Sequence, residues 1–195
     1  MKVGVTAVQG DVSEHLEIVE RAMAELSLSG RAVPVRKPAV LEEVAALIIP
    51  GGESTTISKL LVKFELFEGV IDRVEEGMPL MGTCAGCVLL AKEGDEQVMA
   101  TGTRLLGLMD MAVDRNAFGR QRESFEVDLD IDEIGSARGV FIRAPAIRKV
   151  WGECEVLARL EERIVMAQQR HMLALTFHPE LSGTTGVHSR LLELI

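Results

Sequence analysis

The chain has 195 residues, about one domain's worth at the usual size of roughly 150 residues per domain, so a single domain spanning 1–195 is expected. Its 21 Lys and Arg against 30 Asp and Glu leave a net charge of −9, which argues against general nucleic-acid or anionic-membrane binding, since both need basic surface. Cys84, Cys87 and Cys154 form no disulfide-framework spacing, no apolar run approaches about 18 residues, and no secretory core precedes Gln9-Gly10-Asp11; these features predict a cytoplasmic protein.

In chain order, Lys2–Val8 reads as a buried strand. Ser13–Leu26 has helical spacing at Leu16, Val19, Met23 and Leu26. Ala32–Val35 is a weak strand stopped near Pro38, and Ala45–Ile49 a strong one closed by Pro50-Gly51-Gly52. Ser54 is a natural N-cap for a helix running to Phe64, and Leu66–Val74 continues helically. Leu80–Thr83 is a short strand leading straight into a helix, Ala85–Ala91. Phe125, Val127, Leu129 and Ile131 alternate with charged residues, as in a strand with one face in water. Val140–Arg143, Ile164–Gln168 and Met172–Phe177 are further strands, the last two joined by a turn at Gln169-Arg170-His171, and Thr184–Leu194 is a closing helix. The strand–helix rhythm of the first half predicts a parallel sheet covered on both faces. Antiparallel additions follow in the second half. The expected architecture is a three-layer α/β sandwich with a mixed, mainly parallel central sheet.

The segment Gly82-Thr83-Cys84-Ala85-Gly86 puts a nucleophile at a strand-to-helix junction between two glycines. This is the cysteine form of a nucleophile elbow. The sharp turn crowds the neighbours two residues away, and glycine relieves that crowding. The helix N-terminus beyond it favours negative charge, so the N–H of Ala85 is a natural oxyanion donor. Two other readings stay open: a buried small residue in a turn, or a redox Cys84-x-x-Cys87 pair. Cys87 is expected to face the core.

A cysteine nucleophile needs a base. Among four histidines, His15 reads as a solvated or capping residue, His171 as a turn residue and His188 as a surface residue of the closing helix. His178 ends a strand and opens His178-Pro179-Glu180. In extended chain, residues two apart point the same way, and proline favours extension before it. Glu180 can then orient the imidazole, giving a Cys–His–Glu triad.

Pro50-Gly51-Gly52-Glu53 follows a strand and opens a helix but lacks the lysine of a phosphate loop. The better reading gives Gly52 a second oxyanion N–H and lets Glu53 attract a substrate ammonium. Arg115 and Arg143 are candidates for binding a substrate carboxylate. No metal or organic cofactor is needed for such chemistry.

These strings resemble the class I, triad-type glutamine amidotransferases, a flavodoxin-like fold. More finely, they resemble the glutaminase subunit of pyridoxal 5′-phosphate synthase. The likeness rests on Gln9-Gly10 with Glu14-His15, Gly51-Gly52-Glu53-Ser54-Thr55-Thr56, Gly82 to Gly86, Arg115-Asn116-Ala117-Phe118-Gly119-Arg120-Gln121, Phe141-Ile142-Arg143-Ala144-Pro145 and His178-Pro179-Glu180-Leu181. The resemblance implies hydrolysis of L-glutamine to glutamate and ammonia. It assigns Cys84, His178 and Glu180 to the triad and Gly51, Gly52, Glu53, Arg115, Ile142 and Arg143 to glutamine. It also implies that the partner is a synthase subunit, that activity is weak until this partner docks, and that docking falls near Gln9-Gly10. Cys87 departs from the aliphatic residue expected there. The alternatives are a glutaminase chain of another amidotransferase, another cysteine hydrolase on the same fold, or a non-catalytic regulatory subunit.

Overall fold

A computed structural model of the chain describes residues 1–115, 117 and 124–195. Within the arginine-rich string, Asn116 and 118–121 lie outside the described residues.

The elements follow in order: β1 (Lys2–Thr6), α1 (Val12–Glu25), β2 (Arg31–Val35), α2 (Pro38–Leu41), β3 (Ala46–Ile49), α3 (Ser54–Lys63) and α4 (Phe67–Glu75). Next come β4 (Leu80–Thr83), α5 (Ala85–Leu90), β5 (Ala91–Gly94), α6 (Glu96–Ala100), β6 (Met109–Asp114), β7 (Ser124–Ile131) and β8 (Gly135–Ile142). The chain closes with β9 (Ala146–Val150), β10 (Glu155–Leu160), β11 (Arg163–Gln169), β12 (Met172–Leu175), a 3-10 turn (Pro179–Leu181) and α7 (Gly186–Glu193).

The main sheet runs β2-β1-β3-β4-β12-β11-β9-β6-β5, with β10 also paired to β11. Strands β2, β1, β3, β4 and β12 are mutually parallel, β5 is parallel to β6, and the pairings around β11 and β9 are antiparallel. This is the mixed α/β sandwich expected. Every residue of β3 and β4 is buried, as an interior parallel strand requires.

Alternation along these strands builds two cores. Leu47 and Ile49 of β3, with Met172 and Ala174 of β12, face a core shared with α3, α4 and α5. Ala46, Ile48, Leu173 and Leu175 face the other, which α1 and α7 cover. The β7–β8 hairpin lays Leu129, Ile131 and Phe141 on that second core and turns Asp128 and Asp130 to solvent, so the expected half-wet strand is present.

Two expectations about local structure need correction. Ser54 does not cap α3: Glu53 does, its carboxylate accepting from the N–H of Thr55 at 3.2 Å and of Thr56 at 2.7 Å. His15 and His188 are not surface residues: both are fully buried. The buried stripe of α1 is His15, Ile18, Val19, Ala22 and Met23, one position out of phase with the Leu16–Leu26 face. No helix among the described residues is long and apolar enough to cross a membrane.

Candidate active site

The parallel strands end at one edge of the sheet, where open α/β sheets bind ligands. β4 and β12 are neighbours in register, with Leu175 opposite Thr83. The residue after Thr83 is Cys84, and His178 lies three residues after Leu175. Pairing of two short strands thus brings together residues far apart in sequence. The Cys84 N–H donates to Leu175 O at 2.7 Å, tying the corner to β12. The His178 N–H donates to Val140 O at 2.8 Å, so β8 braces the histidine, and buried Phe177 anchors it from behind.

Cys84 sits at φ +48° and ψ −101°, a conformation that costs a non-glycine residue energy and marks a strained turn. The flanking glycines are needed there. A Cβ on Gly82 would stand 2.7 Å from the Gly86 backbone, and one on Gly86 would stand 2.1 Å from Ile49 O. Ala85 opens α5, where first-turn N–H groups lack intrahelical acceptors. Cys87 is fully buried, as expected, and burial pushes its thiol far up, which keeps it an unreactive thiol.

His178 Nδ1 donates to Glu180 Oε1 at 2.7 Å, and the Glu180 side chain is wholly buried. The contact arises differently from the extended pairing expected. Pro179–Leu181 forms a 3-10 turn, and the imidazole reaches the carboxylate across it. Burial works against charge on His178. Hydrogen bonds and charge attraction from Cys84 and Glu180 outweigh it and push the imidazole up to about 10. Burial raises the Glu180 carboxyl, against the pull of His178.

Sequence reasoning did not single out Asp11. Its Oδ2 stands 3.4 Å from His178 Nδ1, and burial raises its carboxyl while His178 opposes the shift. Asp11, His178 and Glu180 present donor atoms within 4.8 Å of one another, a spacing able to hold a cation, although the His178–Glu180 bond already uses two of them.

Cys84, Ala85, Gly52, Glu53, Arg115, Ile142, Arg143 and His178 all line one cavity of about 370 Å³, together with Gln9 and Asp11. Gly51 packs against its wall: a Cβ there would meet His178 Cε1 at 2.4 Å. Gly10 in turn presses on Gly51, since a Cβ on Gly10 would lie 1.8 Å from Gly51 O. Gln9 Oε1 accepts from the Glu53 N–H at 2.9 Å. The Gln9-Gly10 segment is therefore in direct contact with the glycine loop.

Arg115 forms an ion pair with Glu53 and donates to Thr55 Oγ1 and Thr101 Oγ1 at 3.1 and 3.2 Å. Burial opposes the Glu53 charge, but hydrogen bonds from Thr56 and Thr55 and the nearby Arg115 hold its carboxyl below the usual range. The guanidinium and carboxylate expected to grip opposite ends of a substrate thus neutralise each other at rest. Arg143 differs: it stands at φ +44° at the end of β8, its guanidinium having no partner among the described residues.

A strained cysteine, a hydrogen-bonded His–Glu pair and helix-end N–H groups around one cavity are the parts that acyl transfer to a cysteine requires. The chain belongs to the SNO glutamine amidotransferase family, whose pattern matches residues 5–194. It is 52% identical to the pyridoxal 5′-phosphate synthase subunit PdxT of Archaeoglobus fulgidus, covering 100% of this chain and 98% of that protein. Against the protein of the same name from Pelotomaculum thermopropionicum it is also 52% identical, covering 99% of this chain and 94% of that one. A solved structure titled as a glutamine amidotransferase superposes with a TM-score of 0.87 at 47% identity, covering 98% of this chain and 97% of the other. A glutamine amidotransferase from Thermotoga maritima, 16% identical with a TM-score of 0.60 over 92% of this chain and 76% of its own, shares the fold.

Proposed function

We propose that residues 1–195 act as one glutaminase domain, the glutaminase subunit of a pyridoxal 5′-phosphate synthase. It hydrolyses L-glutamine to L-glutamate and ammonia and passes the ammonia to a synthase subunit. The proposed location is the cytoplasm, a reducing compartment that suits three free cysteines.

Glutamine binds with its α-carboxylate at Arg143 and Arg115 beside Ile142, and its α-ammonium at Glu53. Gly51 gives the histidine room beside the substrate. The Cys84 thiolate attacks the side-chain amide carbon, and the N–H groups of Ala85 and Gly52 hold the oxyanion. Imidazolium His178 gives its proton to the departing nitrogen, which leaves as ammonia, and a γ-glutamyl thioester remains. His178 then takes a proton from water as that water attacks the thioester, and glutamate leaves as the thiol is restored. Glu180 keeps the imidazole oriented throughout.

The observation that carries this reading is that Cys84 and His178 line one cavity with Arg115 and Arg143, the His178 imidazole being hydrogen-bonded to the buried Glu180. Contact of Gln9-Gly10 with the Gly51-Gly52 loop supports coupling to the partner: docking at the first segment resets a peptide of the second. One oxyanion donor is worth about 100- to 1000-fold in rate, so a single peptide suffices as a switch.

The test is glutamate release by Cys84→Ala in the presence of the synthase subunit. Loss of turnover with binding to the partner intact is expected, and undiminished hydrolysis rejects the assignment. Equal rates of the unmodified chain with and without the partner reject the coupling.

A further inference from the structure

Behind the triad lies a buried polar chain that the reaction above does not use. His15 on α1 and His188 on α7 are fully buried, with His15 Nδ1 at 3.0 Å from His188 Nε2. His15 Nε2 lies 3.2 Å from Thr83 Oγ1 and 3.3 Å from Glu180 Oε2. Thr83 immediately precedes the nucleophile. Among the described residues, Glu180 Oε2 has no hydrogen bond of good geometry and the buried His188 Nδ1 has no partner.

The proton positions follow from two independent arguments. Burial disfavours charge on both rings and holds His188 down to about 3, so each neutral imidazole carries one N–H. An N–H at His188 Nδ1 would be buried with no acceptor, a costlier defect than an unused lone pair. The His188 proton therefore sits on Nε2 and is donated to His15 Nδ1. His15 must then carry its own proton on Nε2. The Glu180 end of the chain makes the same demand. A lone pair on His15 Nε2 would face a carboxylate oxygen at 3.3 Å and be repelled, whereas an N–H there turns positive charge toward it. Both lead to the same tautomer.

We propose that His15 is a positioning residue for the triad: its Nε2–H, bonded to Thr83 Oγ1, turns a positive edge toward Glu180 Oε2 at 3.3 Å, and His188 fixes His15 in the tautomer that makes this possible. Glu180 then accepts the His178 N–H on Oε1 and has the His15 N–H edge 3.3 Å from Oε2. Its carboxylate plane, and with it the His178 ring, is fixed from both sides. The same Nε2–H shares Thr83 Oγ1, so one side chain touches both the orienting acid and the residue beside the nucleophile.

This inference rests on the triad assignment, and its tests separate the two. Long-range proton–nitrogen correlation spectra of the labelled chain read the tautomer directly. Protonated Nε2 and bare Nδ1 on His15 are expected, and a His15 protonated on Nδ1 overturns the proposal. In the complex with the synthase subunit, His15→Leu is expected to lower kcat about ten- to hundredfold with KM unchanged. His15→Gln, whose amide N–H reaches toward the same point, restores most of that loss. Unchanged kcat in His15→Leu, or equal loss in both variants, overturns the positioning role. Hydrolysis that survives Cys84→Ala removes the triad itself.

Discussion

Replacing Glu180 by Gln removes one charge with little change of shape. In the native site the carboxylate lies 2.7 Å from His178 Nδ1 and its side chain is fully screened from solvent. With the imidazolium charge centred about 4 Å away and an effective dielectric near 20, the lost attraction is about 4 kcal/mol. A neutral amide oxygen still accepts the Nδ1–H, which returns about 1 kcal/mol. The remaining deficit of about 3 kcal/mol corresponds to roughly 100-fold in kcat, and loss of the correct tautomer extends this toward about 10,000-fold. The amide also has one acceptor where the carboxylate has two, so its NH₂ must face either His178 or His15. Glutamate release measured across pH, with the synthase subunit present, gives the effect on kcat. Titration of the His178 ring gives the second readout. Its native value of about 10 lies above the ordinary 6.5, so the imidazolium supports the fold fully below pH 6.5 and that support is lost as pH rises toward about 10. Glu180→Gln narrows this window. A kcat within about threefold of the native value would show that the carboxylate does not stabilise the reacting imidazolium, since 3 kcal/mol predicts far more.

Gly51→Ala should lower kcat by about 100-fold or more without unfolding the chain, because a Cβ would stand 2.4 Å from His178 Cε1 and 2.9 Å from Asp11 Oδ2 and must displace the ring; an unmoved His178 in the variant's structure with native kcat refutes this. Arg143→Ala should raise KM about tenfold or more while sparing kcat, the signature of lost ground-state binding, whereas Arg115→Ala should do worse because it also strands the Glu53 carboxylate in the cavity; glutamine saturation curves decide between them. Acid should destabilise the fold from about pH 6.5 downward, since the unfolded chain then takes up protons on His15 and His188 that the folded chain refuses, with a slope of up to about 1.4 kcal/mol per pH unit for each. Glu180 and Asp11, whose carboxyls are raised in the fold, offset part of that loss. Urea midpoints at pH 7 and pH 5 measure the balance, and equal midpoints in the native chain and in His188→Phe contradict it.

The parts of the site that were legible in the sequence share one property: their chemistry and their local backbone demand are written in adjacent residues. Gly82 and Gly86 flank Cys84 because the corner leaves no room for a Cβ on either, so the elbow could be read from five letters. His178 and Glu180 are two residues apart, so their pairing needed no long-range information, even though a 3-10 turn and not an extended strand delivers it. The cap of α3 was misread because Ser54 has the usual capping side chain. The longer Glu53 carboxylate, held one residue earlier by extended backbone, takes two N–H groups instead. The strands β5, β9 and β10 left little trace. Lys92, Glu93, Arg148 and Lys149 break any apolar run in β5 and β9, and bulges interrupt the β10 ladder at Ala158.

His15 and His188 were missed for a different reason. On α1 the apolar pattern offers two overlapping faces, Leu16–Val19–Met23–Leu26 and Ile18–Val19–Ala22–Met23. The second includes His15 at the head of the stripe and the first excludes it. Only packing against α7 chooses between them. There His188 lies in the matching stripe, Val187–His188–Leu191–Leu192, so two histidines each resembling an outlier become partners once the helices meet. A single polar residue in an apolar stripe reads as a solvated exception, but two in facing stripes are a buried hydrogen bond that either sequence alone cannot announce. The same logic governs the triad at larger scale. Cys84 and His178 lie in different halves of the chain, and what joins them is the parallel pairing of β4 with β12, a topological event in which the chain returns after β11 to occupy the slot beside β4. A sequence can thus display a nucleophile and a base as separate local designs. Their juxtaposition depends on strand order, and the α1–α7 packing that brings His15 to Glu180 and Thr83 lies directly behind them.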